Sequence, residues 1–190
     1  MQLTPRRRQS GVSLIEVLVS IFVVSMGILA LAGLLNASSR LGKASELRAT
    51  ATLLANDLAD RMRANPGAFP VATTPSSYDL PANSYAPSAP TAPGTMESGC
   101  TPCTPAQIAA IDLYEWQQRL FYTLPGGQGY VIYTPGTTAA AKPYYGPRVD
   151  VWVAWTDTQS TVNKESQATQ IKECPDKITK PRCVYIQVAL

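Results

Sequence analysis

The chain has 190 residues, room for one ordinary domain of about 150 residues and an appendage. Its 16 Lys+Arg exceed its 13 Asp+Glu, and Arg6, Arg7 and Arg8 account for the whole excess of +3. Residues 12–190 therefore offer no general basic surface to nucleic acid. There is no histidine, which excludes Ser-His-Asp and Cys-His catalysis, histidine-ligated zinc and a histidine general base.

The first element follows the arginines directly. Between Val12 and Ser39 only Glu16 is charged, and Val12–Leu35 is a run of 24 residues, mostly Leu, Val, Ile and Ala. That is long enough to cross a hydrocarbon layer of about 30 Å as a helix. Three consecutive arginines close before it, against the more spread Arg40, Lys43 and Arg48 after it, set the N-terminus in the cytoplasm. One reading is a plain membrane anchor. A second is a secretory signal peptide, with Ala30-Leu31-Ala32 as an A-x-A site before Gly33. A third rests on Gly11, which separates the basic cluster from the apolar run, and on Glu16 a few residues inside that run. A carboxylate costs about 2.5–3.5 kcal/mol near the centre of a membrane helix and less near the interface, so Glu16 needs a partner.

Gly11-Val12-Ser13-Leu14-Ile15-Glu16-Val17-Leu18-Val19 resembles the class III leader of type IV pilins and type II secretion pseudopilins, although that family usually has Phe where Val12 stands. The resemblance implies that a membrane-embedded prepilin peptidase cuts between Gly11 and Val12 and methylates the new amine on Val12. Physically, that amine would lie four residues before Glu16 on the same face of a helix. In lipid the opposite charges attract with little screening. In a fibre the neighbouring subunit's amine would satisfy Glu16, which gives the acid a role in subunit assembly.

The helical pattern continues past the apolar run. Leu47, Ala51, Leu54, Leu58 and Met62 form an apolar stripe of helical period. Asp57 and Arg61 are spaced to pair at i, i+4, while Glu46, Arg48, Asp60 and Arg63 keep the other faces wet. Asn65-Pro66-Gly67 ends the helix. Residues 12–64 predict a rod of about 80 Å at 1.5 Å per residue, a continuation that counts against the signal peptide. Gly27 and Gly33 inside it mark either bends or close-packing positions.

Residues 66–105 hold nine Pro, no Lys or Arg, and only Asp79 and Glu97 as charges. They predict an extended loop, a spacer over the head. A second helix follows. Thr104-Pro105-Ala106-Gln107 has the form of a capping box, with Pro at the first helical position. Ala109, Leu113, Trp116 and Leu120 make one apolar face, and Pro125-Gly126-Gly127 ends the run.

The remainder predicts strands: Gly129–Tyr133, then Val149, Val151, Val153 and Trp155 alternating with Asp150, Trp152 and Ala154, then Val184, Ile186 and Val188. Short connections suggest an antiparallel sheet that buries one face. The expected fold class is α+β, of type IV pilin-like architecture. A long N-terminal helix, its first half in the membrane, carries a small antiparallel sheet head packed on its distal half. The chain divides into a cleaved leader 1–11, a transmembrane and assembly helix 12–35, the distal half of the long helix 36–65, a Pro-rich loop 66–105 and a globular head 104–190.

Leu54-Ala55-Asn56-Asp57-Leu58-Ala59-Asp60-Arg61-Met62-Arg63-Ala64-Asn65, then Cys103-Thr104-Pro105-Ala106-Gln107, then Leu124-Pro125-Gly126-Gly127 resemble PilV-type minor pilins of type IV pili. The resemblance implies a low-abundance structural subunit that joins other minor and major pilins, with a tip adhesin, in a complex that primes pilus assembly. It would sit first in the inner membrane as a single-pass protein with a periplasmic head, then in the pilus at the cell surface. A minor pseudopilin of type II secretion shares the leader and rod.

Cys100, Cys103, Cys174 and Cys183 all follow the apolar helix, on the side the arginines assign to an oxidising periplasm. Two disulfides are expected, with three connectivities open. Cys174–Cys183, closing a loop before the last strand, is favoured, and Cys100–Cys103 is the remainder. Cys100-Thr101-Pro102-Cys103 also has the C-x-P-C form of thioredoxin-type sites and precedes a helix. That keeps a membrane-anchored periplasmic thiol-disulfide protein as the rival of another class, but no strand-helix-strand frame precedes the pair. Four-cysteine zinc is a further alternative. Glu97, Asp112 and Glu115 suggest a solvated face rather than a paired-carboxylate site. The reading assigns no catalytic residue, cofactor or metal, and no nucleic-acid partner.

Overall fold

The computed structural model describes residues 11–70, 75–81, 89–94, 99–136, 146–156, 174 and 181–190. Residues 1–10 of the leader, with Arg6–Arg8, and Glu97 lie outside the described residues. The chain divides into two compact units, Met1–Ser45 and Glu46–Leu190.

Helix α1 runs Leu14–Ala64, 51 residues. It starts two residues after the expected Val12, because Ser13 acts as its entry. The Ser13 carbonyl accepts the N–H groups of Glu16 at 3.0 Å and Val17 at 3.3 Å. Ser20 and Ser25, the hydroxyls within the helical part of the apolar run, donate back to the carbonyls of Glu16 (2.6 Å) and Phe22 (2.8 Å). Such back-bonding leaves neither hydroxyl needing water. Gly27 and Gly33 do not interrupt the helix, and a Cβ at either would meet nothing within 4 Å. At the other end, the residue before a proline is driven out of α conformation. Asn65 accordingly turns to φ −125°, ψ 61°, and Pro66–Ala68 form a single 3₁₀ turn.

In the second unit, α1 buries Ala51, Ala55, Leu58, Ala59 and Met62, with Leu47 and Leu54 packed at the margin. Ala55 and Ala59 were absent from the expected stripe. Their short side chains leave the helix backbone open to what packs on it, and the Trp116 indole N–H donates to the carbonyl of Leu54 at 2.8 Å.

Helix α2 runs Pro105–Thr123. Its capping box is formed as the local sequence dictates: Gln107 N–H donates to Thr104 Oγ1 at 3.3 Å, and Thr104 N–H donates to Gln107 Oε1 at 2.9 Å. Ala109, Trp116 and Leu120 are buried, with Leu113 partly so. The helix ends at Pro125-Gly126-Gly127, where Gly126 takes φ +59°. The Pro125 carbonyl there accepts the backbone N–H of Thr156 at 2.8 Å.

Three strands, β1 (Gln128–Thr134), β2 (Arg148–Thr156) and β3 (Pro181–Ala189), form an antiparallel sheet in the order β1-β2-β3. The register sets Val131, Val151 and Ile186 across from one another, and Tyr130, Trp152 and Tyr185 on the opposite face. Val131, Val149, Val151, Val153, Val184 and Val188 join the core with α1 and α2. Gly129 belongs to this face, and the Trp116 ring occupies the space its Cβ would take. The expectation of a single buried face is corrected. Every residue of β2 from Val149 to Trp155 is buried, because Tyr130, Trp152, Ala154 and Cys183 form a second cluster with Cys174 and Tyr185 on the outer side. Asp150, 2% exposed on that side, accepts hydrogen bonds from Tyr185 Oη and from Gln187 Nε2 at 3.1 Å.

The Pro-rich segment is more than a spacer in its described parts. Tyr78 is wholly buried, with its ring stacked on Phe69 at 5.4 Å between centroids. Leu80 bridges to Val131 through two backbone hydrogen bonds of 2.9 Å, and Asp79 Oδ1 accepts the N–H of Tyr133 at 2.7 Å. These contacts cover much of the outer edge of β1, which would otherwise present unpaired backbone groups.

Candidate functional site

Two regions carry the chemistry the sequence singles out: the entry to α1, and the end of α1 where it meets α2.

At the entry, Gly11, Val12 and Ser13 precede the helix, and Glu16 lies in its first turn. A carboxylate there complements the positive end of the helix dipole. The shared helical face expected of Val12 and Glu16 belongs to the chain cut after Gly11; in the uncleaved chain α1 begins at Leu14, two residues after Val12. From Val12 to Leu35 the large apolar side chains are exposed, Val12 itself by 70%. Among the described residues, α1 is long and apolar enough to cross a membrane, and its most apolar window makes no buried contact within the chain. A stripe of Val, Leu, Ile and Phe with no cover of its own requires lipid or other protein around it.

At the far end of α1 the side chains Asp57, Arg61 and Asn65 succeed one another at one-turn spacing and meet α2. Arg61 is the hub. Its Nε donates to Asp57 Oδ2 at 3.2 Å, and its Nη1 donates to Asp112 Oδ1 at 3.0 Å and Glu115 Oε2 at 2.8 Å. Asp112 Oδ2 also accepts the Tyr78 hydroxyl at 2.6 Å. Asn65 Nδ2 donates to the Pro105 carbonyl at 2.8 Å and to Tyr78 Oη at 3.3 Å, which ties together the end of α1, the start of α2 and the Pro-rich segment. The solvated face expected for Asp112 and Glu115 is therefore corrected for Asp112, while the Glu115 side chain stays 39% exposed. Both converge on Arg61, and the Asp112 side chain is only 15% exposed. Burial alone would loosen the Arg61 proton. The hydrogen bonds to Glu115 and Asp112 and the charge of Asp57 more than reverse that, and hold it above its usual range. Burial, then the bond to anionic Asp112, pushes the Tyr78 hydroxyl up as well. On β3, burial and the bond to Asp150 push Tyr185 up to about 12. Three acids around one arginine with a tyrosine donor form a clasp.

The cysteines form two bridges. Cys100 and Cys103 are joined with Cα atoms 4.8 Å apart, and Cys174 and Cys183 with Cα atoms 5.9 Å apart. All four sulfurs are engaged, which leaves no thiolate for a four-cysteine zinc site.

The prokaryotic N-terminal methylation motif matches residues 6–32. No curated protein and no solved structure matches the chain. The motif covers Gly11, Val12 and Glu16 and runs into the exposed apolar stretch of α1. Together they support a type IV pilin-like protein, pilin or pseudopilin, and imply processing by a prepilin peptidase and assembly with other pilins.

Proposed function

We propose that this chain is a minor pilin, a structural subunit that enters the priming or tip complex of a type IV pilus and supports its assembly, motility or adhesion. In this reading residues 1–11 are a leader removed between Gly11 and Val12, and the Val12 amine is then methylated. Residues 12–35 anchor the precursor in the inner membrane and later pack among sister subunits, with the head on the periplasmic side. The observation that carries it is the methylation motif at 6–32 running straight into a helix whose most apolar stretch has no cover among the described residues. A stretch of that kind suits a protein moved from lipid into a fibre of like helices, because both surroundings are apolar.

Glu16 is the assembly residue. Cleavage places a cationic amine on Val12, and Glu16 meets the amine of its own or a neighbouring subunit once water is excluded. Replacing Glu16 by Ala is expected to leave the precursor in the membrane and remove it from sheared pili, read by immunoblot of both fractions. Undiminished incorporation of the variant would refute the role of Glu16. Deletion of the chain should impair twitching motility. Lost exoprotein secretion with motility spared would assign it to type II secretion as a pseudopilin instead.

A further inference from the structure

We infer that the Cys100–Cys103 bridge is an exchange site for a dithiol protein, opening and closing without disturbing the head, whereas Cys174–Cys183 is structural. The inference does not depend on the pilin reading. The two bridges differ in what surrounds them. Cys100 and Cys103 close a four-residue ring around Thr101 and Pro102, both exposed, and Gly99 before it, also exposed, takes φ +69°. Among the described residues, neither sulfur belongs to either core cluster. Cys183, by contrast, is 7% exposed on β3 and packs with Tyr130, Trp152 and Ala154. Cys100, Cys103 and Cys174 are all half-buried, so the bridges differ at Cys183. The first can be approached at either of its cysteines, whereas in the second one sulfur lies within that aromatic cluster.

The ring also carries little of the fold. The start of α2 is held by contacts that lie after it, namely the Thr104–Gln107 capping box and the bond from Asn65 Nδ2 to the Pro105 carbonyl. Closing a ring with a sequence separation of 3 removes less chain entropy than closing one of 9. Opening it therefore costs the head few contacts.

The direction of exchange follows from position. Cys103 immediately precedes the N-cap of α2, where the amide dipoles stabilise a departing thiolate. The incoming thiolate attacks Cys100 Sγ and forms a mixed disulfide, and the electron pair of the broken S–S bond leaves on Cys103 Sγ, which takes a proton from water. The second thiol of the dithiol protein then displaces Cys100 Sγ. The protein pair gains two electrons and two protons, and the dithiol becomes a disulfide.

The test uses the full chain, oxidised, in detergent micelles, titrated with dithiothreitol, quenched in acid, alkylated and mapped by mass spectrometry. Cys100 and Cys103 are expected to become alkylated at dithiol concentrations at least tenfold below those that open Cys174–Cys183, with the near-ultraviolet circular dichroism unchanged. Reduction of both bridges in parallel, or of Cys100–Cys103 only in denaturant, would overturn the proposal. A thioredoxin-type dithiol protein lacking its second thiol should be trapped on Cys100; trapping on Cys174 or Cys183 would contradict it. The double variant Cys100→Ser, Cys103→Ser should keep the native spectrum, and loss of folding there would equally overturn the claim.

Discussion

Replacing Arg61 by Met removes the hub of the clasp while keeping its aliphatic bulk. The variant loses three ion pairs, at 3.2, 3.0 and 2.8 Å. Asp112, 15% exposed, is left with the Tyr78 hydroxyl as its remaining partner in the clasp. Stranding a fully buried charge costs about 3–5 kcal/mol. Arg61 is 21% exposed and Glu115 39%, so solvent relieves part of that, and the expected loss is about 2–4 kcal/mol. For a chain of this size that is a fall in Tm of about 5–15 °C. The assay is thermal unfolding of the full chain in detergent, followed by near-ultraviolet circular dichroism, to which Trp116 and Trp155 in the core contribute. The control is Arg63→Met, since Arg63 and Asp60 pair in the open, at 55% and 76% exposure, and exposed pairs contribute about 0–1 kcal/mol. Adding Asp112→Asn to Arg61→Met removes the stranded charge and should recover part of the loss. If Arg61→Met were no worse than Arg63→Met, the clasp would be an ornament of the surface and the argument from burial would fail.

Two further perturbations probe the head. Gly129→Ala drives a Cβ into the Trp116 ring; overpacking of this kind costs about 1–3 kcal/mol, and a Tm equal to wild type would show that the ring moves aside freely. Tyr185→Phe tests alkaline stability. The folded-state hydroxyl titrates at about 12 against its ordinary 10.0, so its stabilisation is full below pH 10 and is lost as pH rises towards 12. The variant should lose stability less steeply than wild type across that window in denaturant titrations, and an identical slope would contradict the assignment. Tyr78 and Tyr133 are raised too, so part of the alkaline limb should remain.

How much of this was legible depended on the range of the interaction. The capping box of α2 is written in four consecutive residues, and the structure forms it between Thr104 and Gln107. The alternation Val149, Val151, Val153 marked a strand because backbone geometry alone imposes a two-residue period. The same alternation misled about its other face, although the signal was present: of Asp150, Trp152 and Ala154 only Asp150 is polar. Ala55 and Ala59 lie beside a stripe that runs through the larger Leu54 and Leu58, and only the packing against them shows that they are inside. Asp57 and Arg61 were paired from their spacing, but Asp112 and Glu115 lie 51 and 54 residues from Arg61, beyond any local rule. Tyr78 was hidden among prolines for the same reason: what buries it comes from Asn65, Phe69 and Asp112. At the other end of the chain, Gly11 and Glu16 were conspicuous because a glycine and a lone acid are out of place beside an oily helix.

The account turns on what happens at Gly11. Intact-mass and N-terminal peptide mass spectrometry of the protein recovered from sheared pili reads it directly. A mature chain beginning at Val12 with a single methyl on its amine is the expected result. A chain that begins elsewhere, or that is missing from the sheared fibres, would contradict it.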